Sequence, residues 1–238
     1  VAPSRFKVDD VRVDSLLASA QQAESSYLFT ESLEILDAYG INLATWRFVI
    51  DEKDLARNAE EIGYPVCMKI VSSDIIHKSD SGGIRLNIRS DHELIENHRK
   101  LREDVLLYDS KARISGVIIQ AMAPKGKEVM VGAKHDPTFG PCVIVGAGGI
   151  YTEVLKDYTF RLAPLTGIEA REMLEELKLY PLLEGVRGEA SCHIDSIVDT
   201  LLRVSQLVTK HPTIKEIDIN PLIVNEKGSV IVDARIIT

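Results

Sequence analysis

Lys69-Ile-Val-Ser-Ser-Asp-Ile-Ile-His-Lys-Ser-Asp-Ser-Gly-Gly-Ile-Arg-Leu-Asn87 sets the terms for the rest of the chain. It places a lysine in an apolar run, one histidine in a polar loop, and a double glycine before an alternating segment. Apolar and alternating runs bounded by turn residues read as strands, so the order is strand, loop, strand. A lysine ammonium and glycine amides are groups that a nucleotide's phosphates need, and an imidazole beside them can accept a phosphoryl group. Taken alone, the stretch suggests phosphoryl transfer at a nucleotide site.

Upstream, residues 1–12 read as an extended arm and Leu16 to Ala23 as helix. Thr30 is expected to cap a helix carrying Leu33, Ile35 and Leu36, which stops at Gly40. Trp46 to Ile50 reads as a strand, Lys53 to Ile62 as a helix, and Gly63-Tyr-Pro65 as the turn before the strand Val66 to Val71. Downstream come a strand (Ile84 to Ile88), a helix (Asp91 to Leu107), and strands Ile114 to Met122 and Glu128 to Lys134. Pro141 to Val145 is a further strand, closed by Gly146-Ala-Gly-Gly149. Helices follow at Ile168 to Leu177 and Ile194 to Thr209. Two last strands, Glu216 to Val224 and Val230 to Ile236, flank the turn Asn225-Glu-Lys-Gly228. Strands and helices alternate without a long linker, so the fold class is α/β or α+β, in two lobes. The expected division is 1–25 for an arm and helix, 26–115 for a first lobe and 116–238 for a second.

The 238 residues, 45% hydrophobic and 27% charged, are ordinary for a soluble globular protein. A formal net charge of −8 argues against a nucleic-acid or anionic-membrane surface. It does not exclude ATP, because one lysine and a bound magnesium can reverse the local field. Cys67, Cys142 and Cys192 are far apart without metal spacing, which suits reduced thiols in a cytoplasmic protein. No run approaches the ~18 apolar residues of a membrane span, and the start is not a signal peptide.

Several positions carry chemistry. Lys69 in an apolar strand is either a strand-edge lysine reaching solvent or a cation facing a cleft, where Gly82 and Gly83 would lie against the same phosphates. His77 stands among Asp74, Lys78, Ser79 and Asp80, and a carboxylate on one ring nitrogen would leave the other nucleophilic. A solvated bystander is the competing reading. The Gln120-Ala-Met-Ala123 segment could read an adenine edge, with Met122 against its face, and Glu128 could take ribose hydroxyls. An ordinary hairpin with a surface glutamate explains that segment as well. Gly146-Ala-Gly-Gly149 followed by Glu153 is a second anion-binding candidate, or a plain turn; it is not a dinucleotide fingerprint. Asn220 and Asp233, on adjacent strands, are the best magnesium candidates, and Asp218 shares a strand face with Asn220.

The chain also carries Gly63-Tyr-Pro-Val-Cys-Met-Lys69, Asp74-Ile-Ile-His-Lys-Ser-Asp80, Phe139-Gly-Pro141 and Val154-Leu-Lys-Asp157. Arg161-Leu-Ala-Pro164, Gly185-Val-Arg-Gly188 and Asp218-Ile-Asn-Pro221 follow in order. From about Thr30 onward it resembles the ATP-grasp (beta) subunit of ADP-forming acetyl-CoA synthetases, with succinyl-CoA synthetase a more distant relative. The resemblance implies an ATP-grasp fold with a nucleotide cleft between two lobes. It implies Lys69 on ATP phosphates, Gln120, Ala123 and Glu128 around adenine and ribose, and Asn220 and Asp233 on Mg2+. His77 matches the transiently phosphorylated histidine and Asp218 the carboxylate that steadies it. Ala147 departs from the bulkier residue usual between those glycines, which touches no catalytic role. The implied reaction is acyl-CoA + ADP + phosphate giving acid, CoA and ATP, reversibly, with a CoA-binding alpha subunit in an alpha2beta2 heterotetramer. Another ATP-grasp carboxylate ligase, or a non-catalytic ATP-grasp regulatory module, are the alternatives.

Overall fold

The computed structural model describes residues 2–3, 5–22, 26–75, 78–149 and 156–238. Among them the chain runs through α1 (Asp10–Gln22), β1 (Tyr27–Leu28), α2 (Thr30–Ala38), β2 (Trp46–Val49), α3 (Leu55–Ile62), β3 (Val66–Ser72) and β4 (Ile84–Ile88). It continues with α4 (Asp91–Tyr108), β5 (Ile114–Ala121), β6 (Lys127–Asp136), β7 (Gly140–Ala147), β8 (Tyr158–Leu162) and α5 (Gly167–Glu175). It ends with α6 (Tyr180–Glu184), α7 (Ile194–Lys210), β9 (Glu216–Asn225), β10 (Gly228–Ile231) and β11 (Ala234–Ile237).

These elements form two compact units, residues 44–123 and residues 1–43 with 124–238. The boundaries expected at 25 and 115 do not coincide with them. Residue 115 falls inside β5, which pairs along its length with both β2 and β3, so cutting there would divide a sheet. Residues 26–43 belong with the C-terminal part because β1 pairs with β11, and Leu43 bridges to Ile231.

The smaller unit is a four-stranded antiparallel sheet in the order β2-β5-β3-β4. Alternate residues of β3 and β5 (Val66, Met68, Ile70; Val117, Ile119) pack with Leu55 and Ala59 of α3 and Leu94, Leu101 and Val105 of α4. The Ser90 hydroxyl starts α4 by accepting from the Glu93 N–H. All seven residues of β3 are buried, including Lys69 on the face away from that core.

The larger unit is a seven-stranded sheet, ordered β1-β11-β9-β6-β7-β8 with β10 also on β9. Helix α7 lies on β6 and β7, its apolar side built from Ile197, Leu201, Val204 and Val208, three and four residues apart. Thr166 and Glu169 form a reciprocal capping box on α5. Three local expectations change. Phe29, not Thr30, precedes α2, and the Thr30 hydroxyl bonds to Glu31 instead. Helix α1 ends at Gln22, and Ala23 lies outside the described residues. The last expected strand divides into β10 and β11, which pair with opposite ends of β9 and leave Val232 and Asp233 between them.

Candidate functional site

In the smaller unit the site begins with a buried cation. The Lys69 Nζ donates to Gln120 Oε1 at 2.8 Å, and Lys69 and Gln120 are 4% and 0% exposed. Burying a lysine is costly unless hydrogen bonds replace its water, and the amide supplies one. Gln120 also donates through Nε2 to the Ala44 carbonyl at 3.5 Å, so its side chain is held at both ends. Of the other expected adenine-pocket residues in this unit, Met122 donates its N–H to the Pro65 carbonyl at 3.4 Å and Ala123 is half-buried.

His77 itself lies outside the described residues, but both of its approaches are visible. On one side, Asp74 takes hydrogen bonds from the Arg113 N–H at 2.7 Å and from Arg113 Nε and Nη2 at 3.1 and 2.9 Å. The Arg113 guanidinium and amide hold the Asp74 carboxyl down to about 2. Asp74, a neighbour of His77 in sequence, is thus committed to the start of β5. Next to it, Ile75 is 2% exposed and belongs to the core of this unit. On the other side, the Lys78 carbonyl accepts from Ser81 Oγ at 3.0 Å and from the Gly83 N–H at 2.7 Å.

Gly82 and Gly83, expected to lie against phosphate, have partners for their amides inside the turn itself. The Gly82 N–H goes to the Ser79 carbonyl at 3.3 Å and the Gly83 N–H to Lys78, so both close the turn. Gly83 is required for a packing reason: a Cβ there would stand 2.6 Å from Ile70 Cγ2. Three of the other histidines have structural work. His98 pairs with Glu52, His193 caps α7, and buried His211 sits between Asp10, Asp14 and the Tyr39 hydroxyl.

In the larger unit, one face of the sheet gathers the remaining candidates. Asp218 and Arg235 are cross-strand partners between β9 and β11, Ile219 pairs with Ala234, and one step beyond that Asn220 meets Asp233. The Asn220 N–H donates to the Asp233 carbonyl at 3.2 Å, at the break between β10 and β11. Asn220 Oδ1 accepts the Gly149 N–H at 2.9 Å, which draws the glycine turn onto the same place. Gly149 has φ +65°, a conformation that favours glycine, and its Cα faces the Glu128 carboxylate. Gly149 therefore joins Glu128 to Asn220. Glu153, expected to follow this turn, lies outside the described residues, as do Val154 and Leu155.

Sequence reasoning missed two residues of these clusters, Arg113 and Arg235. Arg235 could have been found from hairpin pairing, since it follows Asp233 by two positions as Asp218 precedes Asn220 by two. Arg113 had no local signal, because 39 positions separate it from Asp74.

Two antiparallel α+β units, one with a buried lysine and one with an opposed Asn–Asp pair beside a glycine turn, are of the ATP-grasp class. A family model described as an ATP-grasp domain matches residues 19–238. The beta subunit of ADP-forming acetate–CoA ligase I of Pyrococcus furiosus is 46% identical over 207 residues, which are 87% of this chain and 89% of that subunit. The ADP-forming acetate–CoA ligase I of Archaeoglobus fulgidus is 43% identical over 237 residues, and this chain spans only 34% of its length. Among solved structures, acetyl-coenzyme A synthetase 1 of Ca. Korarchaeum cryptofilum, in complex with coenzyme A, Ca-AMPCP and HgCl+, superposes with a TM-score of 0.91. It is 38% identical, and the match covers 94% of this chain and 98% of that one. A second complex of that enzyme, with coenzyme A and Mg-AMPPCP, has its phosphohistidine segment pointing towards the nucleotide binding site. Its TM-score is 0.83 at 36% identity, over 94% of this chain and 99% of that one. The chain belongs to the ATP-grasp family, among the beta subunits and corresponding segments of ADP-forming acyl-CoA ligases. Among the described residues no helix is long and apolar enough to cross a membrane.

Proposed function

We propose that this chain is the nucleotide-binding part of an ADP-forming acyl-CoA synthetase, acetyl-CoA being the leading substrate. The overall reaction converts acyl-CoA, ADP and phosphate to the acid, CoA and ATP. The observation that carries this reading is the meeting of Asn220, Asp233, Gly149 and Glu128 on the strand face that also bears Asp218. The names of the relatives support it, and so does the phosphohistidine segment of the Korarchaeum enzyme.

Each residue then has a task. Lys69 neutralises nucleotide phosphates, with Gln120 holding its ammonium in place. Gln120, Met122, Ala123 and Glu128 form the adenine and ribose contacts, while Gly82 and Gly83 shape the loop that carries His77. Asn220 Oδ1 and the Asp233 carboxylate are hard oxygen donors of the type that holds Mg2+ next to phosphates, and the two residues are neighbours through the Asn220 N–H on the Asp233 carbonyl. Bound there, the ion would supply charge neutralisation on the phosphate oxygens. His77 carries the phosphoryl group, and Asp218 steadies its ring. In the ATP-forming direction the N–P bond breaks as a β-phosphate oxygen of ADP bonds to phosphorus. The electron pair returns to the imidazole, which takes a proton from solvent. Such a transfer depends mainly on position and charge. A CoA-binding alpha partner in an alpha2beta2 assembly supplies the phosphoryl group, and the cytoplasm is the expected location.

Incubation with γ-labelled ATP and magnesium tests the assignment. The chain with its alpha partner is expected to take up an acid-labile, base-stable label that His77→Ala abolishes. Asp233→Ala is expected to abolish magnesium-dependent labelling at unchanged circular dichroism. Label persisting in His77→Ala overturns the relay, and full labelling of Asp233→Ala removes that residue from the metal site.

A further inference from the structure

Arg235 is a cation on the face that carries Asp218, yet its guanidinium is poorly used by the protein. Nη2 lies 3.5 Å from both Glu216 Oε1 and Asp218 Oδ2, at the outer limit of a hydrogen bond in each case. Nε is buried and has no hydrogen-bond partner among the described residues. A guanidinium offers five donors in a planar fork, and a well-made ion pair would set two of them against one carboxylate. Here one nitrogen is shared at long range between two carboxylates while the neighbouring Nε–H is idle. Buried donors are rarely left so, and an idle one calls for an explanation. The side chain keeps 27% of its surface accessible, so the group is not sealed in the sheet.

The position narrows what the fork can serve. Arg235 is paired in register with Asp218 and stands two residues past Asp233. Asn220 and Asp233 would hold the metal, and Asp218 would steady the phosphorylated ring. A tetrahedral phosphoryl dianion passing between them presents two oxygens at the spacing a guanidinium edge matches. Glu216 and Asp218 hold the cation loosely in the resting protein, so little must be broken for it to turn to phosphate. We propose that Arg235 is a phosphoryl-binding residue of this site, released from Glu216 and Asp218 to neutralise the transferring group. The proposal rests on the relay reading above and adds to it the residue that binds the group in transit.

The test is Arg235→Gln in the enzyme assembled with its alpha partner, measured as ATP formation from acetyl-CoA, ADP and phosphate. A donor acting on the transferring group should cost about 100-fold in kcat, with the KM for ADP within about threefold of wild type. Arg235→Lys, which keeps charge but loses the fork, should fall between the two and also serves if Arg235→Gln does not fold. A purely structural arginine would instead act by relieving repulsion between Glu216 and Asp218, so Glu216→Gln should then restore the Arg235→Gln enzyme. The expected result is no restoration. A kcat within about threefold of wild type, or full restoration by Glu216→Gln, overturns the proposal. His77→Ala run in parallel separates the two ideas: label surviving there sinks the relay, whereas Arg235 is judged by kcat with His77 intact.

Discussion

A lysine in an apolar strand is a conflict between solvation and packing, and at Lys69 an amide resolves it. The ammonium reaches Gln120 Oε1 at 2.8 Å on the neighbouring strand, where Cys67 and Gln120 are register partners and Lys69 is two residues further on. The two residues should therefore respond differently to substitution. Lys69→Met removes a buried charge and keeps an apolar stem, so the melting temperature should change little while the KM for ADP rises about tenfold or more. Gln120→Leu removes an acceptor from that buried charge and should cost about 2 kcal/mol of stability in addition. Thermal melts and ADP kinetics on both variants check this. A Gln120→Leu protein as stable as wild type would show that the amide does not support the lysine. The lysine was visible in the sequence because of its apolar neighbours. Its partner was visible only as one residue of a hairpin end, since pairing across strands is not written in either strand alone.

At the scale of elements, the segment between β3 and β4 is anchored at both ends. Arg113 at the start of β5 grips Asp74, and the Gly82-Gly83 turn folds back on Lys78 and Ser79. Because Arg113 depresses the Asp74 carboxyl from 3.8 to about 2, this contact contributes stability above pH 3.8 and loses it as the pH falls through about 2. Asp74→Asn should remove that part of the acid dependence, giving a flatter profile of melting temperature between those limits. A variant whose acid profile overlays wild type would mean that the pair contributes nothing, as many exposed ion pairs do. Elements with a strong period were legible: α4 and α7, the strands β3 to β7, and the two-residue turn between β9 and β10. Three short elements, β1, β8 and α6, gave too few residues for a period to show. The break at Asp233 was also missed, because apolar residues run on either side of it and only the geometry at Asn220 and Pro221 divides β10 from β11. That failure falls at the proposed metal site, where local regularity gives way to function.

At the scale of the whole molecule, residues 44–123 are an insertion in a larger fold made from both ends of the chain. The first and last strands of the insertion are neighbours, with Trp46 opposite Gln120 and the Ala121 N–H on the Thr45 carbonyl at 2.8 Å. Entry and exit thus lie side by side, and the core of α3, α4 and the sheet is drawn wholly from within the insertion. Expressed alone, residues 44–123 should fold with a cooperative thermal transition. A fragment without dispersed amide resonances or a melting transition would show that this unit depends on the rest of the chain. By itself the sequence determined the α+β class and the family and nominated residues for the chemistry, because residue type and strand period are local properties. Only the tertiary structure decided where the units divide, that the glycine amides close a turn, and that Arg113 and Arg235 stand beside Asp74 and Asp218. Those outcomes depend on hydrogen bonds between segments far apart in the chain, whose partners are chosen by sheet register and packing rather than by neighbouring residues.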